Sequence, residues 1–140
     1  MSLNKFFRRT TALLTIVACS LFAEAVEAET QLYEGIGVYT ILKDETPDFA
    51  KKQAKLDAER NALEQIYLYV KSQSASKNSK LTRDEIITVA AGKMNVLKTT
   101  FAMNKDAGNL VVTATVTAEI DPDEIPEAVE RERQRRLQQN

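Results

Sequence analysis

The sequence contains no histidine and no tryptophan, and its single cysteine, Cys19, lies close to the start of the chain. Without histidine, the usual general base and the commonest transition-metal ligand are missing. With one thiol, no disulfide can form within the chain and no thiolate cluster can hold zinc. Three prolines and four glycines in 140 residues leave little to interrupt regular elements, so long helices and strands are expected. A dominant sign of charge is lacking too. Nineteen Lys and Arg against twenty Asp and Glu create no field that would steer the chain to nucleic acid. The aromatic residues Tyr33, Tyr39, Phe49, Tyr67, Tyr69 and Phe101 are dispersed, with no interleaved basic residues, and form no stacking platform for single strands.

What is present begins with a leader. Lys5, Arg8 and Arg9 precede fourteen uncharged residues, 10–23, and Val26-Glu27-Ala28 follows. A basic start, an apolar run and small residues at the end are the parts of a secretory signal, here assigned to residues 1–28. The apolar run is shorter than the roughly 20 residues a helix needs to cross a bilayer, which disfavours a permanent span. Two processing fates compete. Cleavage after Ala28 discards the thiol and frees a chain of residues 29–140; cleavage before Cys19, at the lipobox-like residues 16–19 (Ile-Val-Ala-Cys), leaves a cysteine that takes a lipid and tethers the protein to a membrane. Either fate places the protein outside the cytoplasm, in the periplasm or cell envelope. Beyond the leader, sixteen Lys and Arg face eighteen Asp and Glu, again nearly balanced. A chain of this length can bury about two thirds of its unfolded surface, enough to fold without metal or disulfide.

The patterning after residue 28 predicts a single α+β domain over residues 29–125 and a charged helical tail over 126–140. A small, three-stranded, mainly antiparallel sheet packs on one long Ala-rich helix, with a short helix beside it. Residues 32–42 alternate as a strand in which Gly35 and Gly37 share a face, marking close approach by another backbone or a bulge. Thr46-Pro47-Asp48 is a helix start, with Thr46 as N-cap and Pro47 in the first turn. The helix is predicted to run from 47 to about 70 or 71. Ala50, Ala54, Ala58 and Ala62 recur every four residues and continue as Ile66 and Val70. We expect this alanine face to meet the two glycines. Lys55 with Glu59, and Arg60 with Glu64, have the spacing of helical ion pairs. Residues 72–81 are polar and serine-rich, reading as a surface loop, before Thr82 and Glu85 open a short helix as a capping box. Strands are predicted at 96–103 and 110–120, joined by a six-residue connection. In the second, Val112, Ala114, Val116, Ala118 and Ile120 alternate with polar residues, so one face is core and the other wet. Asp121-Pro122 ends it. The following segment is dense in Glu and Arg and has almost nothing to bury.

No catalytic, cofactor-binding or metal-ligating residue stands out. The clusters Asp44/Glu45 and Asp121/Asp123/Glu124 sit where turns and helix caps explain them. Asp57, on a tightly patterned helix, is the one acid that stands out, with the capping of a local ion pair as its structural reading.

The helix from Thr46-Pro47-Asp48-Phe49-Ala50 through Ala54-Lys55-Leu56-Asp57-Ala58 to Glu64 resembles the Ala-rich, Asp-Ala-containing helix of the Lpp-twenty lipoprotein family, which includes the N-terminal domain of flagellar assembly protein T. Tyr33-Glu34-Gly35-Ile36-Gly37 is similar to its glycine-bearing first strand, and the segment around Thr82 and the strand ending at Asp121 fall in the same order. Pro47-Asp48-Phe49-Ala50 after a glycine-bearing strand is similar, over a shorter stretch, to the SIMPL domains. The Lpp-twenty resemblance spans residues 32–125 and implies a bacterial envelope module, lipidated in some members and associated in others with the flagellar basal body. It carries no catalytic residue. Three functions are thereby set against each other. The first is a non-catalytic interaction or assembly module whose partner is an envelope protein or the cell wall, with membrane contact only through lipid at Cys19. The second is a soluble carrier holding a small or lipidic ligand between helix and sheet. The third is a hydrolase using carboxylates at Asp57 or around Asp121.

Overall fold

The computed structural model describes residues 29–76 and 80–139; Cys19, Ala28 and the rest of the proposed leader lie outside the described residues. The fold is α+β. In chain order the elements are β1 (Gln31–Thr40), α1 (Pro47–Ser76), α2 (Arg83–Lys93), β2 (Asn95–Asp106), β3 (Asn109–Ile120), a short 3-10 turn (Pro122–Glu124) and α3 (Ile125–Gln138). The strands form one antiparallel sheet in the order β1-β3-β2, so the most regular strand of the sequence is the central one.

The predicted meeting of glycines and alanines is the centre of the packing. Gly35 and Gly37 lie on the face of β1 turned to α1, where Ala54, Ala58 and Ala62 are fully buried. A Cβ at Gly35 would strike the Ala58 carbonyl and sit 2.8 Å from the Ala62 nitrogen; one at Gly37 would strike the Ala54 carbonyl and the Ala58 nitrogen. Helix backbone therefore rests directly on strand backbone, which only Gly opposite Ala permits.

Two clusters make the core, and α1 belongs to both. Ala50, Ala54 and Ala58 pack with Val112, Ala114, Val116 and Ala118 of β3. Ile66 and Val70 pack with Ile86 and Ala90 of α2, Ile120, Ile125 and Val129. The four-residue repeat explains the handover: each step overshoots a helical turn by about 40°, so the buried stripe winds from the sheet toward α2 and α3. Side chains grow from Ala to Ile along the same path because the neighbour changes from strand backbone to helix side chains.

The starts and stops follow local chemistry. Thr46 Oγ1 accepts the Phe49 N–H at 3.2 Å, and Thr82 and Glu85 form the full capping box of α2. Asp121 accepts from the Asp123 N–H at 3.0 Å as the chain turns off β3.

Four expectations are corrected. First, α1 runs to Ser76, not 70 or 71. Ser74 continues the buried stripe at 7% exposure, and Ser72 returns its hydroxyl to the Tyr69 carbonyl at 2.7 Å, so serines extend the helix instead of breaking it. Second, the connection between β2 and β3 is not six residues. Ala107 and Gly108 alone form it, with φ of 46° and 85°, and positive φ at both positions is the two-residue turn that matches strand twist. Third, the charged segment 126–140 does have something to bury. α3 opens at Ile125 and seats Ile125 and Val129 in the second cluster, one helical turn apart. Fourth, Glu64 pairs with Arg83 of α2 and not with Arg60, whereas Lys55 and Glu59 do pair, at 3.6 Å.

Candidate interaction surface

The sheet has two edges, and the protein treats them differently. At β1 three of the outward backbone groups are taken up by side chains of α1. Asp57 Oδ2 accepts the Val38 N–H at 3.3 Å, Asn61 Nδ2 donates to the Ile36 carbonyl at 2.7 Å, and Gln65 Nε2 donates to the Glu34 carbonyl at 2.6 Å. Spacing of four along the helix matches spacing of two along the strand, about 6 Å against about 7 Å. The three polar side chains thus stand in for a neighbouring strand. This assigns Asp57, the acid singled out in the sequence, to structure.

At β2 no such cover exists among the described residues. Because residues 34, 36 and 38 point outward from β1, residues 35, 37 and 39 bond to β3. The alternation carried across the sheet makes Lys98, Thr100, Ala102 and Asn104 the residues of β2 that bond to β3. Thr99, Phe101, Met103 and Lys105 therefore direct their N–H and C=O groups off the free edge. Their side chains lie on the helix side of the sheet, beside α1, which packs chiefly on β1 and β3. Phe101 and Met103 are 42% and 41% exposed. Lys51 of α1 sets its ammonium 6.0 Å from the Phe101 ring centre, partly screening one face. An extra residue, Leu97, bulges the strand between Val96 and Lys98. From there to the turn the edge is regular, apolar in its middle and open.

A second surface feature is the cleft between α2 and α3. Arg133 lies across it, donating to both carboxylate oxygens of Glu85 at 2.7 and 2.6 Å and to the Lys80 carbonyl at 2.9 Å. The Arg133 hydrogen bonds, reinforced by those from Thr82, hold Glu85 well below its ordinary range, at about 2. Arg133 is raised in turn, chiefly by the same hydrogen bond. Both groups are spent on each other and on holding α3, so the cleft presents a satisfied ion pair.

Three more carboxylates singled out in the sequence, Glu45, Asp123 and Glu124, are engaged in structure. Glu45 accepts from the Tyr39 hydroxyl and the Leu42 N–H, each at 2.9 Å, which raises the Tyr39 pKa. Asp123 accepts the Tyr69 hydroxyl at 3.3 Å, and Glu124 pairs with Lys93 at 3.0 Å. No two of them face each other as acid and base. Among the described residues no group of three His, Cys, Asp or Glu side chains is placed to hold a metal ion, and no helix is long and apolar enough to cross a membrane.

Sequence reasoning noted Asp57 but missed its partners. The signal was there: Asp57, Asn61 and Gln65 repeat at the period of the alanine stripe, three positions behind Ala54, Ala58 and Ala62. The open edge of β2 had no sequence signal, since it depends on strand order. No family model and no curated protein matches the chain.

Proposed function

We propose that the chain is an exported, non-catalytic module of the bacterial cell envelope, of the Lpp-twenty kind, that docks or assembles with another protein through the edge of β2. The observation that carries this reading is the contrast between the two edges. A chain that engages one edge with three of its own side chains, yet leaves the longer one without such cover among its described residues, has kept the second for a partner. Exposed edges are otherwise sites of unwanted pairing, and strand addition is a common mode of protein recognition.

The carrier reading has less support. It needs room between α1 and the sheet, and backbone contact at Gly35 and Gly37 fills that space. The hydrolase reading has lost its residues to caps and pairs: Asp57 holds the β1 edge and Asp121 caps the turn after β3.

The test is cross-linking in intact cells from a photo-reactive group placed at Thr99, with Leu56 on α1 as the comparison site. Capture of a protein neighbour, another copy of the chain included, from Thr99 and not from Leu56 supports the reading. Capture from neither removes it. Export is tested separately by intact mass, which distinguishes an unmodified chain beginning at Glu29 from a lipidated chain beginning at Cys19.

A further inference from the structure

The geometry points to a second copy of this chain as the occupant of the β2 edge, paired antiparallel about a twofold axis at Ala102. The inference rests on β2 being the docking edge, and adds who docks and in which register.

The regular part of the edge is bounded by the bulge at Leu97 and the turn at Ala107 and Gly108, leaving residues 98–106. Its midpoint is Ala102. An antiparallel pair of identical strands about that point sets Lys98 opposite Asp106, Thr100 opposite Asn104, and Phe101 opposite Met103. These three pairs are matched in chemistry: opposite charges, two polar groups, and a thioether beside an aromatic ring, while Thr99 falls opposite Lys105. By the twofold each of these pairs occurs twice.

Backbone alternation agrees with this placement. Phe101 and Met103 both direct their N–H and C=O groups off the edge, so facing each other they form a hydrogen-bonded pair, with Ala102 opposite Ala102 as the non-bonded pair between. Neighbouring registers lose the match. An axis at Phe101 sets Lys98 against Asn104, and one at Met103 sets it against Gly108.

Charge explains how such an edge is kept specific. Lysines on an edge strand ordinarily repel other strands. Here, among the described residues, neither Lys98 nor Asp106 makes an ion pair within its own chain. Each is left for the other's copy, so the charges reject foreign strands and slipped registers and accept one alignment. In the pair, the two sheets join as six strands. Phe101 and Met103 of both copies then close over the strip that α1 leaves uncovered.

Disulfide trapping tests both occupant and register on the full chain, purified as the producing cell processes it. Directly opposite residues of a non-bonded pair lie about 4.5 Å apart at Cα, within disulfide reach. Ala102→Cys is expected to give a covalent dimer under mild oxidation. Thr113→Cys, on the same face one strand inward, is expected to stay at the background of the wild-type chain, whose sole thiol is Cys19. Sedimentation of the wild type should give twice the chain mass. Lys98→Glu should weaken association by about tenfold, and adding Asp106→Lys should restore it. Met103→Pro, at an N–H that β3 does not use, should give a monomer with an unchanged circular dichroism spectrum.

A wild-type chain that sediments as a monomer at every concentration overturns the inference, as does Ala102→Cys that cross-links no better than Thr113→Cys. If the chain is monomeric while Thr99 still captures a different envelope protein, the second copy is excluded and the docking edge survives. If Thr99 captures nothing, both readings fall.

Discussion

At one edge of the sheet Asp57, Asn61 and Gln65 occupy three outward backbone groups of β1; at the other, no described residue covers the outward groups of Thr99, Phe101, Met103 and Lys105. The difference arises from where one helix can lie. With glycines at 35 and 37, α1 sinks onto β1 and comes near enough for short polar side chains to reach around its edge. The same close seating carries the helix away from β2, two strands over. Tight packing on one side and exposure on the other are thus one event. Covering β1 consumed the one long helix among the described residues.

The strongest way to break this contrast is to lift α1 off β1. Gly37→Val drives a branched side chain into the Ala54 and Ala58 backbone and should cost about 3 kcal/mol or more, read by denaturant unfolding. A smaller result would mean that the helix shifts without loss and that the backbone contact is not what sets its position. Replacing Asp57, Asn61 and Gln65 together by Ala keeps the seating but strips the edge. Three partly solvated hydrogen bonds at about 0.5–1 kcal/mol each predict a loss of about 2 kcal/mol, measured the same way.

The acid response belongs to the far end of the molecule and sharpens the contrast by leaving both edges alone. Glu85 sits at about 2 in the folded protein against an ordinary 4.5. Its contribution is therefore fully present above the ordinary value and is lost as pH falls through the interval toward 2. Thermal midpoints between pH 5 and pH 2.5 should fall more steeply in the wild type than in Arg133→Gln, which has already given up the pair. The smallest effect is expected at β2. Phe101→Ser should change monomer stability by no more than about 0.5 kcal/mol, since the ring is not part of either core cluster. A large loss there would show that the edge serves the fold, not a partner.

The fold was legible where a single period ruled a segment. The alternation from Val112 to Ile120, the four-residue alanine repeat and the glycine pair gave the sheet's central strand, the helix and their contact. Errors arose where polar residues were taken as punctuation. Ser72 and Ser74 lie inside α1 because each finds a place on the helix, one on a carbonyl and one on the buried stripe. Residues 104–106 prolong β2 because Ala107 accepts a left-handed backbone beside Gly108. Arg133 and Glu85, 48 positions apart, could not be joined by any local pattern. The candidate surface was least legible of all. Openness of an edge is a property of strand order, and Phe101 and Met103 read equally well as core residues until α1 is seen to miss them.

The side-chain ladder of α1 has a further consequence, which concerns valence. A sheet with two bare edges can add neighbours on both sides and grow without limit, as stacked strands do in fibrils. On the proposed pairing, Asp57, Asn61 and Gln65 engage part of the β1 edge and disfavour strand addition there, so that assembly through β2 would end at two. Three polar residues on one helix would thereby limit the stoichiometry of that assembly. Their removal would convert a chain terminator into a repeating unit.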